Sequence, residues 1–162
     1  SRGIATFDIL IKAPGSFTGG GRVNVSPKQN LRKKYTTHEF QLCYNDEDTF
    51  GGKLKYEDER TRDKFRATTF TSIVFIDDPD IDPDGPTARF DTALVEGLGI
   101  LNKTPGVRFR AVLTDAGEPG LSDRFEIQFP DGQNTGVPDR ALSGGNHQAH
   151  PPHKNDDGGM CA

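Results

Sequence analysis

Alternation of apolar and polar residues is the clearest pattern along the chain, and it predicts β-strands. Successive side chains of a strand point to opposite faces of a sheet, so apolar residues at every second position indicate a strand with one buried face. Six stretches in the middle of the chain follow this period. They are Phe40, Leu42 and Tyr44; Leu54 and Tyr56; Phe65 and Ala67 continuing to Ile73 and Phe75; Ala88, Phe90, Thr92 and Leu94; Val107, Phe109, Ala111 and Leu113; and Phe125, Ile127 and Phe129.

A seventh stretch, within residues 1–16, predicts a strand that is apolar on much of both faces. Such a strand has to be covered on both sides, either inside its own domain or by insertion into a neighbouring subunit. Both alternatives stay open, and the second would build a fibre head to tail. One face carries Ala5, Phe7, Ile9, Ile11 and Ala13, of which Phe7, Ile9 and Ile11 are the candidate assembly residues, and the other face carries Ile4 and Leu10.

Composition points to the same fold class. The chain has 162 residues, of which 19 are Gly and 11 are Pro, and only 32% of residues are hydrophobic. This mixture is typical of short strands joined by tight turns. We therefore predict an all-β protein, an antiparallel β-sandwich of jelly-roll or Ig-like type over residues 17–150. Residues 1–16 would form an N-terminal strand segment and residues 151–162 an irregular C-terminal tail.

Two stretches depart from the strand pattern. Thr92–Leu101 also fits a short helix, although Gly97, Gly99 and the lack of capping residues disfavour it. From Asp131 onward the chain is rich in Gly, Asn, Asp, Pro and His and has no apolar period. That composition is typical of disorder, so no strand is predicted there.

Charge and motifs exclude several function classes. The net charge is −4 with both signs dispersed, which gives no electrostatic case for a nucleic-acid partner. No apolar run approaches the roughly 18 residues that a transmembrane helix needs. The G-x-S-x-G, P-loop and H-E-x-x-H motifs are missing, and Cys43 has no setting that would make it a nucleophile. We therefore predict that the protein is not an enzyme.

The strongest chemical motif is a stretch with the D-x-D-x-D-G spacing of calcium loops. Oxygens at alternate positions of a tight loop can converge on one hard cation, and a glycine at the sixth position permits the sharp turn. The candidate calcium ligands are Asp80, Asp82 and Asp84, with Asp91 at the twelfth position. The flanking segments predict strands, so an EF-hand is disfavoured. The alternatives are a calcium site in a hairpin loop and a solvated acidic turn that keeps a sheet edge from pairing.

Two further clusters have a structural and a metal-binding interpretation. Asp115, Glu118 and Asp123 can cap the backbone N–H groups of a turn, or they can hold a metal ion or ligand. The capping role is favoured. His147, His150 and His153 are spaced by three and can bind zinc or copper, but Pro151 and Pro152 favour a solvated polar tail. His38 stands alone before a strand and is interpreted as structural.

Five segments, in the same order along the chain, resemble the post-COAP domain family of bacterial exported and surface proteins. The resemblance covers about residues 17–150 and implies an extracellular, all-β, non-catalytic module. Departures are an acidic insertion at residues 77–84, the extra strand before Phe17 and the tail after His150. The segments are TGGG at 18–21, FQLCY at 40–44, GGKLKYEDERTRDKFRATTFTSIVF at 51–75, TDAGEPGLSDRF at 114–125 and LSGGNHQAH at 142–150.

Cys43 and Cys161 are the two cysteines of the chain. In an exported protein they would most simply form one disulfide that pins the tail to the strand around Cys43. A bond between subunits and two free thiols are the alternatives. CxxC spacing is absent, so neither a zinc nor a thioredoxin-type motif is indicated.

These observations lead to two principal hypotheses for an extracellular or cell-surface protein. The first is a non-catalytic structural protein that assembles with itself into a surface fibre or layer. The second is a calcium-dependent carbohydrate-binding or adhesion module with a polysaccharide as partner and Ca²⁺ as cofactor. The chain has no Trp and only 3 Tyr, which weakens sugar stacking. A hydrolase is the most distant alternative.

Overall fold

The computed structural model describes residues 13–26, 33–46, 48–78, 81, 88–117, 120, 122–152 and 161. Of these residues, 68% lie in strands and none lies in a helix, so the predicted all-β class is confirmed. The strands are β1 (Gly15–Asn24), β2 (Tyr35–Asp46), β3 (Thr49–Asp58), β4 (Asp63–Ile76), β5 (Thr92–Leu101), β6 (Thr104–Thr114), β7 (Arg124–Gln128), β8 (Val137–Ala141) and β9 (Gly144–His150).

The nine strands form one curled antiparallel sheet in the order β8-β7-β6-β5-β4-β3-β2-β1-β9. From β1 to β8 each strand pairs with the next one along the chain, and β9 then returns to the far edge beside β1. A sandwich of two separate sheets is not confirmed. The predicted inward faces nevertheless meet, because a curled sheet brings distant strands face to face around one core.

Aromatic rings from distant strands pack in this core. Phe17 of β1 lies 5.9 Å from Phe75 of β4 between ring centroids, and Tyr56 of β3 lies 6.4 Å from Phe125 of β7. Phe90 precedes β5 and stacks on Phe75 at 4.6 Å. Burying each such ring stabilises the fold by about 1.5–3 kcal/mol. The alternating positions predicted for β2, β3, β6 and β7 are accordingly buried.

The structure corrects the sequence predictions in three places. Thr92–Leu101 is the strand β5 and not a helix, and the strand predicted from Ala88 begins at Thr92. The predicted irregular region after Asp131 is wrong, because it contains β8 and β9. Strand β1 was not predicted from the apolar pattern either. The strand predicted within residues 1–16 lies largely outside the described residues, which begin at Ala13.

Glycines explain why β1 and β9 carry no apolar signal. The two strands pair with Gly19 opposite His147, and Gly19 has a φ of 153°. A Cβ atom at Gly19 would lie 2.4 Å from the carbonyl oxygen of Asn146. The close approach of β9 therefore requires glycine in β1 at a position where an apolar period would place a side chain.

Candidate functional site

Of the four candidate calcium ligands, only Asp91 lies within the described residues. Its side chain is buried, and Oδ1 accepts hydrogen bonds from the backbone N–H of Asp78 (2.9 Å) and the hydroxyl of Thr92 (2.8 Å). Burial, with the charge of Asp77 nearby, raises the pKa of Asp91 to about 6. Asp91 thus caps the chain that leaves β4. Asp80, Asp82 and Asp84 lie outside the described residues, so the calcium site stays a prediction.

Cys43 and Cys161 form a disulfide within the chain, with their Cα atoms 5.6 Å apart. The favoured alternative from the sequence is therefore confirmed. Cys43 lies in β2 opposite Ser16 of β1 and Gly51 of β3. The bond therefore anchors Cys161 to β2, which lies between β1 and β3.

The candidate assembly residues Phe7, Ile9 and Ile11 lie outside the described part of the chain. Their connection to the sheet is described, because the backbone N–H of Ala13 donates to the carbonyl oxygen of Phe75 in β4 (3.2 Å). The two neighbours of β4 pair with it over different lengths. Strand β3 pairs with β4 only at residues 63–66, whereas β5 pairs with β4 at residues 65–76.

We call the edge of β4 at residues 67–76 that faces away from β5 the β4 lane. Among the described residues, Ala13 is the one whose backbone bonds to this edge. The lane is about ten residues long, or roughly 33 Å at the rise of a strand. Bulges interrupt its pairing with β5 between Ala67 and Thr69 and between Phe70 and Ser72.

The second acidic cluster caps backbone groups, as predicted, and it also binds β9. Asp115 accepts the N–H of Gly117 through Oδ1 and the N–H of Ala149 through Oδ2, both at 2.9 Å. Asp123 accepts the N–H of Ala116 and the N–H of His147, both at 2.8 Å. Two buried carboxylates thus occupy the place that a neighbouring strand would take along β9. Glu118 lies outside the described residues.

We call Asp115 and Asp123, with the N–H groups of β9 that they bind, the carboxylate clamp. A buried pair of histidines lies beside it. The Nε2 atoms of His38 in β2 and His147 in β9 are 2.7 Å apart, and the Nδ1 of His147 lies 2.9 Å from the carbonyl oxygen of Thr114. The prediction that His147 belongs to a solvated tail is wrong, because this side chain is fully buried. The ring of His38 stacks on Phe125 with centroids 3.8 Å apart, in agreement with its predicted structural role.

The hydrogen-bond pattern assigns the protons of both rings. A carbonyl oxygen only accepts, so His147 carries its proton on Nδ1 and its Nε2 is an acceptor. His38 must then donate from Nε2, which leaves its Nδ1 as a buried atom without a hydrogen-bond partner among the described residues. Burial lowers the pKa of His147 to about 4, and burial together with the proximity of His147 lowers the pKa of His38 well below its ordinary value.

The predicted zinc or copper cluster is only partly within the described residues. His150 shares a hydrogen bond with the hydroxyl of Thr18 (2.9 Å), whereas His153 is not described. In the described portion, no three His, Cys, Asp or Glu side chains are grouped in a way that could hold a metal ion. The histidine that contacts His147 in the fold is instead His38, which is 109 residues away in the sequence.

The outer surface of β3 and β4 carries four exposed basic side chains, which we call the basic face: Lys53, Lys55, Lys64 and Arg66. Lys55 lies directly opposite Arg66, and Glu39 of β2 pairs with Lys55 (3.2 Å). A shallow cavity of about 200 Å³ has three of these cations in its lining, together with the carboxylate of Glu57. Lys55 and Arg66 are like charges directly opposite each other, which disfavours their pairing, whereas Lys64 lies opposite the exposed Glu57.

Fold and contacts define the class of this molecule as an all-β protein with one curled antiparallel sheet and one internal disulfide. Comparison with known proteins gives no match: no family model fits the chain, and no curated protein or solved structure is significantly similar to it. The resemblance to the post-COAP domain family therefore stays a prediction. None of the described residues belongs to a helix with the length and apolarity needed to cross a membrane.

Proposed function

We propose that the chain is a non-catalytic extracellular structural protein that assembles with copies of itself into a surface fibre or layer. The β4 lane is the observation that carries this proposal. An edge of about ten residues with few described partners is a template for a further strand. The backbone of Ala13 is bonded at one end of that lane, so the segment before Ala13 begins beside the lane.

The length and pattern of residues 1–12 support this pairing. A strand of about ten residues matches the lane, and the alternation of Phe7, Ile9 and Ile11 supplies one apolar face. A segment of the same chain can occupy the lane, or the same segment of a neighbour can replace it. Such exchange of an identical element is a low-cost route to assembly, and a contact that does not close on itself produces a filament.

The disulfide supports an extracellular location. Disulfides persist in oxidising compartments and are rare in the reducing cytosol. The bond between Cys43 and Cys161 closes a loop with a sequence separation of 118 residues. A stable bond of this kind is also useful in a structural subunit, because it limits how far the chain can unfold locally.

Sedimentation and negative-stain imaging of the full chain test the proposal. The wild-type chain is expected to form filaments or sheets, whereas the triple variant Phe7→Ser, Ile9→Ser and Ile11→Ser is expected to stay monomeric. The matched control is Thr6→Ser, Asp8→Ser and Lys12→Ser, which changes the opposite predicted face and is expected to assemble. A monodisperse wild-type chain would refute self-assembly, and assembly of the apolar-face variant would refute strand exchange as its basis.

The alternative of a calcium-dependent carbohydrate-binding or adhesion module has weaker support. Three of its four candidate ligands, Asp80, Asp82 and Asp84, lie outside the described residues, and the Oδ1 atom of Asp91 already accepts two hydrogen bonds from the protein. Polysaccharide binding and Ca²⁺ therefore remain the secondary proposal.

A further inference from the structure

Strand β9 is held to the fold by few apolar contacts. It is an edge strand of the sheet, and its strand neighbour is β1. Its buried residues are His147 and Ala149. Three of its seven cross-strand pairs are with Gly19, Gly20 and Gly21 of β1, and glycine adds no side-chain contact to such a pair. Elements with so little apolar burial are those that open most readily in a folded protein.

The histidine pair links β9 to β2 across the strand that lies between them. Gly19 of β1 is paired with His147 of β9, and Gly21 of β1 is paired with His38 of β2. Both glycines lie on the same inward face of β1 as the buried Phe17, so that face has no side chains there. The two rings therefore reach each other over β1, with their Nε2 atoms 2.7 Å apart.

This contact has room for one proton between the two Nε2 atoms. Because Nδ1 of His147 donates to the carbonyl oxygen of Thr114, a proton added to His147 binds to its Nε2. It then faces the proton on Nε2 of His38, and two N–H groups do not bond to each other. Moving the His38 proton to Nδ1 places it on a buried atom that has no hydrogen-bond partner in the described part of the chain. Either arrangement weakens the link and buries a positive charge.

Charged and titratable groups of other elements surround the histidine pair. They are Asp115 and Asp123 between β6 and β7, Tyr56 and Asp58 in β3, and Arg60 after β3. The two carboxylates of the clamp direct oxygens to backbone N–H groups of β9. Tyr56 lies opposite His38 and donates its hydroxyl to Asp58, whose charge is neutralised by Arg60 (2.8 Å). On β2 and β9 themselves, Glu39 and His150 alternate to the outer face.

The closed fold consequently disfavours an imidazolium at either position. Phe125 stacks on His38, and the ring of Phe40 lies edge-on to His147 with centroids 4.9 Å apart. Burial lowers the pKa of His147 to about 4, and burial together with the proximity of His147 lowers the pKa of His38 well below its ordinary value. An imidazole that is exposed to water has a pKa near 6.5. Acid therefore favours a state in which the pair is open.

We propose that the histidine pair is an acid-sensitive latch, and that a proton on either ring releases β9 from β1 while the rest of the sheet stays folded. The release uncovers the edge of β1 at residues 16–22, which is then open to another strand. The disulfide keeps the released segment attached, because Cys161 stays bonded to Cys43 in β2, so β9 can return when the pH is raised. The latch operates within one molecule and does not depend on the proposed self-assembly.

Amide hydrogen exchange of the full chain measures the release of β9. A proton that binds the open form near pH 6.5 and the closed form near pH 4 raises the opening equilibrium by about thirtyfold between pH 7.5 and pH 5. The protection factors of the His147 and Ala149 amides, taken relative to intrinsic exchange at each pH, should fall by that factor. Their exchange should be nearly independent of low urea concentrations, whereas exchange of the Val95 and Ala111 amides in β5 and β6 should accelerate as urea is added.

Two variants identify the titrating groups. The double variant His38→Gln with His147→Asn removes both rings of the pair, and protection of its β9 amides should change by less than about threefold between pH 7.5 and pH 5. The matched control is His150→Asn, which removes an imidazole from the outer face of the same strand. It should keep the full pH dependence of the wild-type chain.

Three results would overturn the latch. If the pH dependence persists in the double variant, the carboxylate clamp causes it and the histidine pair does not. If the β9 amides show the same urea dependence as the amides of Val95 and Ala111, β9 opens only when the whole sheet unfolds. Should the double variant fail to fold by circular dichroism, the wild-type chain decides alone, and β9 protection that is unchanged between pH 7.5 and pH 5 would refute the inference.

Discussion

Because of the buried histidine pair, we expect this protein to lose stability as the pH is lowered, beginning at pH values above those at which carboxylates normally titrate. An unfolded histidine has a pKa near 6.5, and burial lowers the pKa of His147 to about 4 in the fold. Between these values the unfolded chain binds a proton that the folded chain does not. The free energy of unfolding therefore falls as pH decreases from about 6.5 to about 4. Above pH 6.5 the stabilising contribution of His147 is fully present.

The size of the effect follows from the difference between the two pKa values. A difference of about 2.5 at 1.36 kcal/mol per unit gives about 3 kcal/mol for His147. His38 acts in the same direction, because its pKa is lowered well below its ordinary value by burial and by proximity to His147. Its Nδ1 is buried without a hydrogen-bond partner among the described residues, so a proton placed there would find no acceptor among them.

Asp91 opposes the histidines. Its pKa is raised from 3.8 to about 6 by burial and by the nearby charge of Asp77, so the folded chain binds this proton more firmly than the unfolded chain. Its contribution to stability therefore increases as pH falls from about 6 to about 3.8. We expect a moderate net loss of stability in acid for the wild-type chain. Asp91→Asn should make that loss steeper.

Urea unfolding at pH 7.5, 6, 5 and 4.5 measures these contributions. His147→Asn keeps an N–H donor for the carbonyl of Thr114 but does not titrate. It should be less stable at pH 7.5 by about 1–3 kcal/mol, because its contact with His38 is lost. Between pH 6.5 and 4.5 its stability should fall less than that of the wild type. His38→Gln is the companion variant, and an Asp139→Ala chain serves as an exposed-residue control.

Nuclear magnetic resonance of the imidazole nitrogens provides the decisive check. His147 should be protonated on Nδ1 and His38 on Nε2, and both should stay neutral at pH 5.5. Titration of His147 near pH 6.5, or an acid dependence that is identical in the wild type and in His147→Asn, would refute the reasoning.

Three further predictions address the disulfide, the carboxylate clamp and calcium. Replacing both Cys43 and Cys161 by Ala should lower the free energy of unfolding by up to about 4–5 kcal/mol in guanidinium titrations, and an unchanged midpoint would contradict the role given to this long loop. Asp123→Ala should cost about 1–3 kcal/mol by leaving the N–H of His147 buried and unpaired, whereas Asp139→Ala, which removes the exposed pair with Arg124, should cost less than about 1 kcal/mol. Under the secondary proposal, calcium should raise the Tm of the wild-type chain but not of Asp80→Asn with Asp82→Asn, and identical melting with calcium and with chelator would identify an acidic turn.

Local sequence pattern predicted those strands whose inward faces are apolar. Phe40, Leu42 and Tyr44 of β2 show the period clearly, and so do the inward residues of β6. In contrast, β1 and β9 approach each other through glycines, and β9 has only His147 and Ala149 facing the core. A strand that buries small or polar groups gives no apolar period. Its existence depends on partners elsewhere in the chain, and local pattern does not report those partners.

Long-range partners explain why the carboxylate clamp was only half predicted. The short spacing of Asp115 and Asp123 within one turn pointed to capping, which the structure confirms. The β9 partner of Asp115 is 34 residues further on and that of Asp123 is 24 residues further on, and His38 is 109 residues from His147. The sequence carries one indication of this contact, since the segments 114–125 and 142–150 both belong to the resemblance to the post-COAP domain family. In the fold these two segments contact each other.

Comparison of the sheet edges indicates why assembly would use β4 and not the ends of the sheet. Strand β8 has only five residues, including Pro138 and the charged Asp139 and Arg140, and short charged edges with proline resist pairing. The outer edge of β9 has its His147 and Ala149 N–H groups bound by carboxylates, so they are unavailable to a visiting strand. The β4 lane itself contains no proline and no charged residue, and among the described residues Ala13 is the one whose backbone bonds to it. The proposed assembly therefore places the added strand at β4, where the described residues show neither of the features that oppose pairing at β8 and β9.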